Sequence, residues 1–144
     1  MGFFSKAGEH AIRAAIFLAG NSDTSNRKVL HDIATAIDSP EAYTAKILQS
    51  LVKSGVVRSI KGPYGGFYMD DEQRTTVSLK HVITAIDGDD LFTRCALGLK
   101  ACSGVHPCPV HSEMLKIREA LQLTLQQTTM SSLINSDQNL HLKC

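Results

Sequence analysis

The fold is decided by residues 56–69, which read Val56-Val57-Arg58-Ser59-Ile60-Lys61-Gly62-Pro63-Tyr64-Gly65-Gly66-Phe67-Tyr68-Met69. Residues typical of β-strands lie on both sides of a glycine-rich turn, a pattern that predicts a β-hairpin. The predicted strands are 56–60 and 67–69. Three helical patterns precede this hairpin, so the order of elements is that of a winged helix-turn-helix, in which the hairpin is the wing.

The three helices are predicted from apolar spacing and from capping residues. The first covers residues 6–20 and the second covers residues 29–37. Ser39 is the expected N-cap of the third helix, and Pro40 fits its first position. This third helix runs to about Ser54 and follows the second after a tight turn, as a DNA-reading motif requires.

The second half of the chain is predicted to be a short helix, an irregular loop and a long helix. The short helix covers 77–86, the loop 88–109, and the long helix runs from His111 to about Ser131. Leu115 and Leu123 lie off the main apolar stripe of the long helix, which indicates a dimer interface. The last ten residues are expected to form a loose tail.

Composition places the chain among ordinary globular proteins. It has 144 residues, of which 43% are hydrophobic and 20% are charged. No apolar run approaches the roughly 20 residues needed to span a membrane, and no signal peptide is recognisable, so we expect a cytoplasmic protein with reduced thiols. Residues 1–62 carry eight Lys or Arg and five Asp or Glu, a basic excess compatible with a DNA-facing region.

Three cysteines lie within fourteen residues of the irregular loop, at Cys95, Cys102 and Cys108, and His111 follows. Cys144 is far away on the tail and is taken as incidental. An odd number of cysteines and the expected compartment disfavour disulfides. Zinc accepts three Cys and one His but usually takes ligands in closely spaced pairs, whereas an iron–sulfur cluster suits wider spacings. Spacing alone leaves a cluster, zinc and plain thiols open.

The chain resembles the IscR/NsrR-like winged-helix regulators of bacteria over nearly all of its first 135 residues. The marks of this resemblance are Ser5-Lys6…Glu9-His10-Ala11, Lys53-Ser54-Gly55-Val56-Val57, Ile60-Lys61-Gly62-Pro63-Tyr64-Gly65-Gly66-Phe67, Val82-Ile83-Thr84-Ala85-Ile86-Asp87 and Cys108-Pro109-Val110-His111.

The resemblance implies a homodimer that binds a palindromic operator in double-stranded DNA, with the long C-terminal helices crossing between subunits. It also implies an iron–sulfur cluster, 2Fe–2S rather than 4Fe–4S, on Cys95, Cys102 and Cys108. In IscR-like members the fourth ligand corresponds to His111, which we expect here; in NsrR-like members it corresponds to Glu9, supplied across the dimer. The implied function is a repressor that senses redox state, nitric oxide or the supply of clusters and iron.

The predicted architecture is therefore mainly α with a small β wing. A winged helix-turn-helix DNA-binding domain covers residues 1–76, and residues 77–144 hold the cluster-binding loop and a long C-terminal dimerisation helix. A change in the loop at 95–108 would alter the spacing of the two recognition helices in the dimer, and so the affinity for DNA.

DNA contacts are expected from the third helix and the wing. Tyr43 and Thr44 lie where side chains reach base edges, although Tyr43 also fits a partly buried core position. Lys46 and Lys53 suit phosphate contacts. The wing is expected to contribute Arg58, Lys61, Tyr64 and Gly65, the glycine because it lets the backbone come close.

Two other function classes compete with this interpretation. A zinc-stabilised DNA-binding regulator would share the fold without sensing redox state. A thiol redox enzyme is the less favoured class, because no nucleophile, general base and orienting group are recognisable together. The sequence therefore predicts a protein that is not an enzyme.

Overall fold

The chain folds into helices α1 (Lys6–Asn21), α2 (Leu30–Ala36) and α3 (Glu41–Lys53), and then an antiparallel hairpin of strands β1 (Arg58–Ile60) and β2 (Gly66–Tyr68). Within the described residues of the computed structural model, five helices follow: α4 (Asp71–Thr76), α5 (Leu79–Asp87), α6 (Asp90–Thr93), α7 (His111–Gln127) and α8 (Met130–Ser136). The structure describes residues 3–100, 104–136 and 142. The predicted fold class, mainly α with a small β wing, is confirmed.

The helix α1 lies at the centre of the packing. Most of the side chains on its buried face are small: four are alanines, Ala11, Ala14, Ala15 and Ala19, and Leu18 lies among them. Because alanines leave little side chain between helix axes, α2, α3, α5 and α8 all pack against this one helix. Gly8 serves the same purpose at the start of α1, where a Cβ would press on Asp87 and Ile83 of α5.

The turn between α2 and α3 differs from the prediction by one residue. Pro40 is the N-cap of α3, no side chain caps this helix, and Glu41 is its first residue. Ser39 instead donates its backbone N–H to the carbonyl of Ala34, which completes the end of α2. Asp38 makes the turn with φ of +54°, a left-handed conformation that an aspartate tolerates better than most residues.

The wing is shorter than predicted but more firmly held. Val56 and Val57 are buried in the core instead of extending β1, because the chain leaves α3 directly into the interior. Lys28, before α2, exchanges two backbone hydrogen bonds of 2.8 Å with Phe67 of β2, so a third segment pairs with the hairpin. At Gly65 a Cβ would collide with the carbonyl oxygen of Ile60, so the turn requires glycine there.

The second half contains helices that apolar spacing did not reveal. The short helix α4 begins with a capping box in which Asp70 accepts from the backbone of Gln73 and the Gln73 side chain accepts from the backbone of Asp70. The helix predicted over 77–86 is α5, and α6 follows it at once.

The long C-terminal helix ends earlier than predicted, at Gln127 instead of about Ser131. Thr128 and Met130 pair through their backbones with Leu79 and Val77, at 2.9 and 3.0 Å, and this pairing interrupts the helix. The helix α8 then packs against α1 and α4.

Residues from both predicted domains share one core. Met130 of α8 and Val82 of α5 are buried together with the inner face of α1. The division of the chain into two domains after residue 76 stays a prediction. Most of the predicted loose tail lies outside the described residues. Leu142 is described, and it packs against the core and accepts a hydrogen bond of 3.2 Å from Arg13. No helix of the described part is long and apolar enough to cross a membrane.

Substitution of Met130 tests whether α8 is part of this core. We expect Met130→Ala to lower the free energy of unfolding by about 2–5 kcal/mol, because it removes a fully buried side chain. Urea unfolding followed by far-UV circular dichroism measures the change at equal protein concentrations. The control is Gln126→Ala, an exposed position at the end of α7. Equal stability of both variants would contradict this placement of α8.

Candidate functional site

The exposed face of α3 carries a row of polar and cationic side chains. Lys46, Gln49 and Lys53 are all exposed, and their spacing of three and four residues aligns them along the helix. The opposite face, with Ile47 and Leu48, is buried against the core. The predicted positions of Lys46 and Lys53 on a free surface therefore agree with the structure, and their phosphate contacts stay a prediction.

The structure corrects the base-reading role predicted for Thr44. Its side chain is fully buried, and its hydroxyl donates to the carbonyl of Pro40 at 2.9 Å. The hydroxyl therefore completes the first turn of α3 and cannot reach a base edge. Tyr43 is half-buried against the core, where its ring packs edge-to-face on His10 at 5.0 Å, so the structure favours the core position over base contact.

Gln49 is a candidate for a DNA contact that was not predicted from the sequence. It lies in a groove of about 580 Å³ between α3 and the wing, together with Lys53 and Lys61. The signal that would have found it is helical spacing, because Gln49 lies between Lys46 and Lys53 on the same face. A glutamine side chain in the major groove is suited to recognise adenine through two hydrogen bonds.

The tip of the wing projects into solvent. The Tyr64 side chain is 89% exposed and Lys61 is exposed beside it. Arg27 donates to the carbonyl of Tyr64 at 3.0 Å and so links the tip to the loop before α2. Lys61 and Gly65 line the groove, and the contact with Arg27 and the tight turn at Gly65 hold this end of the wing beside it.

Arg58, which the sequence places beside the DNA contacts, has a partner within the protein. Its Nε donates to Oδ2 of Asp70 at 2.6 Å, and this ion pair connects β1 to the cap of α4. The backbone hydrogen bond from Gln73, and then Arg58, hold the pKa of Asp70 below its ordinary value. The Asp70 carboxylate raises the pKa of Arg58. This guanidinium therefore orients the wing.

The cysteine loop joins α6 to α7. Cys95 is buried after α6 and lines a cavity of about 750 Å³ together with Met114 and Arg118 of α7. Cys108 is partly buried just before α7, and its carbonyl accepts the backbone N–H of His111 at 3.0 Å. Within the described residues, neither of these two cysteines forms a disulfide bond. Cys102 lies outside the described residues, as does Cys144.

The thiols of Cys95 and Cys108 are suited to bind, as thiolates, a metal ion or an iron–sulfur cluster. Val110 is the N-cap of α7 and provides no side-chain cap, so the first backbone N–H groups of this helix lie beside Cys108 and favour negative charge. Within the described ranges, no three His, Cys, Asp or Glu side chains come close enough to hold a metal ion. The complete ligand set predicted from the sequence therefore stays a prediction.

The two candidates for a fourth ligand lie in different places. His111 is the first residue of α7 and is partly buried. Glu9 lies on α1, where its carboxylate is 4.0 Å from the ammonium of Lys6. Glu9 is not among the residues that line the Cys95 cavity, whose acidic side chains are Asp87 and Asp90. Neither acidic residue was predicted from the sequence to be a ligand.

Solved structures share this fold. CymR of B. subtilis, described as the global cysteine regulator, superimposes with a TM-score of 0.74 at 21% identity, over 95% of this chain and 99% of its own. The IscR of T. potens superimposes with a TM-score of 0.71 at 20% identity, over 92% of this chain and 85% of its own. At this level of identity the likeness concerns the fold.

Sequence relatives extend the likeness to function. The HTH-type transcriptional regulator IscR of Klebsiella pneumoniae is 30% identical over 131 residues, which is 91% of this chain and 78% of that protein. The IscR of Yersinia pseudotuberculosis is 29% identical over 129 residues. The family model described as "Rrf2: Iron-dependent Transcriptional regulator" matches residues 4–136. These relatives are transcriptional regulators and not enzymes, as the sequence predicts, and the chain belongs to the Rrf2 family of transcriptional regulators.

Proposed function

We propose that this regulator acts in the cytoplasm as a homodimer on a palindromic operator in double-stranded DNA, and that an iron–sulfur cluster on its cysteine loop sets the affinity. The observation that carries the proposal is the position of the two described cysteines of this loop. Cys95 and Cys108 bracket the segment that connects the wing-bearing half of the chain to α7. Binding or loss of a cluster at these thiols therefore affects the segment that joins the wing-bearing half of the chain to α7.

The DNA-binding surface consists of the exposed face of α3 and the wing. Lys46 and Lys53 contact phosphates, and Gln49 faces the base edges. Lys61 and Tyr64 extend the surface to the neighbouring groove, where Gly65 lets the backbone approach closely.

The dimer interface is the outer face of α7. Ile117 and Leu123 are 58% and 54% exposed, whereas Leu125 is the one residue of this helix that is buried. Ala120, exposed between them, would let a second helix approach closely. Crossing of two α7 helices would cover this apolar surface and place two α3 helices on one side of the DNA.

The cluster would be held by Cys95, Cys102 and Cys108 as thiolates, with His111 as the fourth ligand and Glu9 of the second subunit as the alternative. When bound, a 2Fe–2S cluster supplies a redox-active centre that oxidants and nitric oxide attack. The signal is accordingly redox state, nitric oxide or the supply of clusters and iron. The role of the chain is to couple the ligand loop to α7.

Arg118 provides this coupling. Its guanidinium, on α7, donates to the carbonyls of Thr93 and Arg94 at 3.1 and 3.2 Å. These carbonyls immediately precede Cys95. A displacement of the Cys95 backbone is therefore passed to α7, and through the dimer interface to the distance between the two α3 helices.

Removal of single cysteines tests the cluster ligands. We expect Cys95→Ala, Cys102→Ala and Cys108→Ala each to abolish stable cluster binding, because three thiolates share one loop. Visible absorption of anaerobically purified protein, with iron and sulfide analysis, measures the loading. Cys144→Ala is the matched control and should retain the cluster. A stable cluster in Cys102→Ala would contradict the ligand set, and colourless wild-type protein with bound zinc would replace the cluster by a structural zinc site.

The fourth ligand is tested by comparing two further variants. We expect His111→Ala to shorten the lifetime of the cluster in air more than Glu9→Ala does, because His111 follows Cys108 at the start of the same helix and needs little extra ordering of the chain. The decay of visible absorption is compared at equal initial loading. Rapid decay in Glu9→Ala with wild-type decay in His111→Ala would assign the ligand to α1 of the second subunit.

The wing contact is tested by Lys61→Ala. We expect weaker binding to every DNA sequence and a salt dependence that is less steep by about one unit, because one phosphate contact is lost. The measurement is a salt titration of DNA affinity. Lys6→Ala removes an exposed lysine from α1 and serves as the control. Identical slopes for wild type and Lys61→Ala would show that the wing does not contact DNA.

A further inference from the structure

An ion pair between two exposed side chains connects the helices of the helix-turn-helix. The ring Nδ1 of His31 on α2 lies 2.5 Å from Oε1 of Glu41, the first residue of α3. The two side chains are 73% and 53% exposed. Neither residue was singled out from the sequence, because they are ten positions apart and only the helix-turn-helix brings them together.

This pair borders the proposed DNA-binding surface. Val29 and Leu30, immediately before His31, line the groove that Lys53 and Lys61 also line. Glu41 begins the helix whose exposed face carries Lys46, Gln49 and Lys53. A duplex seated on α3 and the wing would therefore pass close to the His31 ring.

The ion pair fixes which ring nitrogen of His31 is available. Because a carboxylate accepts hydrogen bonds, Nδ1 carries a proton and donates a hydrogen bond to Glu41. Nε2 is then the atom left for a ligand, and it donates a hydrogen bond only when the ring is positively charged. The hydrogen bond that His31 donates to Glu41, together with the charge of Glu41, raises the pKa of His31, and Asp32 on the same helix raises it further.

We propose that protonated His31 donates its Nε2–H to a DNA phosphate while Glu41 holds its Nδ1–H, so that DNA binding takes up one proton. The inference rests on the proposed DNA-binding surface and adds to it a phosphate contact that depends on pH. Glu41 acts as a positioning residue, because it orients the ring and favours the charged form. Without the proton, the Nε2 lone pair and the carboxylate of Glu41 both face the negative DNA backbone.

The direction of the pH effect follows from these charges. At low pH the His31–Glu41 pair is neutral overall and donates to the phosphate. As pH rises through the pKa of His31, the pair becomes negative and the donor is lost, so DNA affinity falls. A charge-assisted contact of this kind changes affinity by about tenfold or more.

Other described histidines have different surroundings. His10 is buried and its ring is bonded to the carbonyl of Lys6. His81 caps the start of α5, where its Nδ1 accepts the backbone N–H of Ser78. His106 and His111 belong to the cysteine loop. The charged groups that act on the His31 ring are Glu41 from α3 and Asp32 from α2.

The experiment measures affinity for a mixed-sequence DNA duplex from about pH 6 to about pH 8.5 at constant ionic strength, the range in which histidine titrates. For wild type we expect affinity to fall by about tenfold across this range. His31→Gln should show no such fall. Glu41→Gln keeps an oxygen that accepts from Nδ1 but removes the charge, so the fall should move to lower pH. His81→Gln is the matched histidine control, because glutamine can keep the capping contact with Ser78, and it should show the same pH dependence of DNA affinity as wild type.

Calorimetry gives a second readout. Binding enthalpies in buffers of different ionisation enthalpy should reveal uptake of a proton by wild type near the pKa of His31, and none by His31→Gln. An unchanged pH dependence in His31→Gln, with DNA binding intact, would overturn this inference alone. Absence of DNA binding at every pH would overturn the proposed function together with it.

Discussion

The close packing of other helices on the alanine face of α1 is the constraint on which the rest of the structure depends. Ala11, Ala14 and Ala15 are fully buried, and larger side chains there would push apart the helices that meet on α1. The contact with α3 fixes the proposed recognition helix, and the contact with α5 fixes the segment that leads to the cysteine loop. One helix therefore sets the position of the proposed DNA-binding surface relative to the site proposed to control it.

Much of this fold could be predicted from the sequence, because short-range signals determine it. Apolar spacing revealed the first three helices, and the glycine-rich turn revealed the wing. The errors occurred where the local structure depends on an unusual backbone conformation or on a distant partner. Backbone pairing of Thr128 with Leu79 ends α7 early, and the left-handed turn at Asp38 moves the start of α3 by one residue. Neither effect leaves a periodic signal in the sequence.

The candidate site was predictable in outline but not in its side-chain roles. Helical spacing placed Lys46 and Lys53 correctly on the exposed face of α3. It did not show that Thr44 turns inward to the carbonyl of Pro40, or that Arg58 pairs with Asp70. These differences have the same cause. Polar side chains near the start of a helix or in a short strand form hydrogen bonds and ion pairs within the protein, which leaves them less available to a ligand.

The central claim is that the cysteine loop controls DNA binding. The most direct test is the affinity of one protein preparation for its operator, selected from random duplexes, before and after removal of the cluster without oxygen. We expect the two affinities to differ by at least about tenfold, the size of a typical coupling between sites. We also expect Cys108→Ala to behave as the cluster-free protein does. Equal affinities with and without the cluster would contradict control of DNA binding by the cysteine loop.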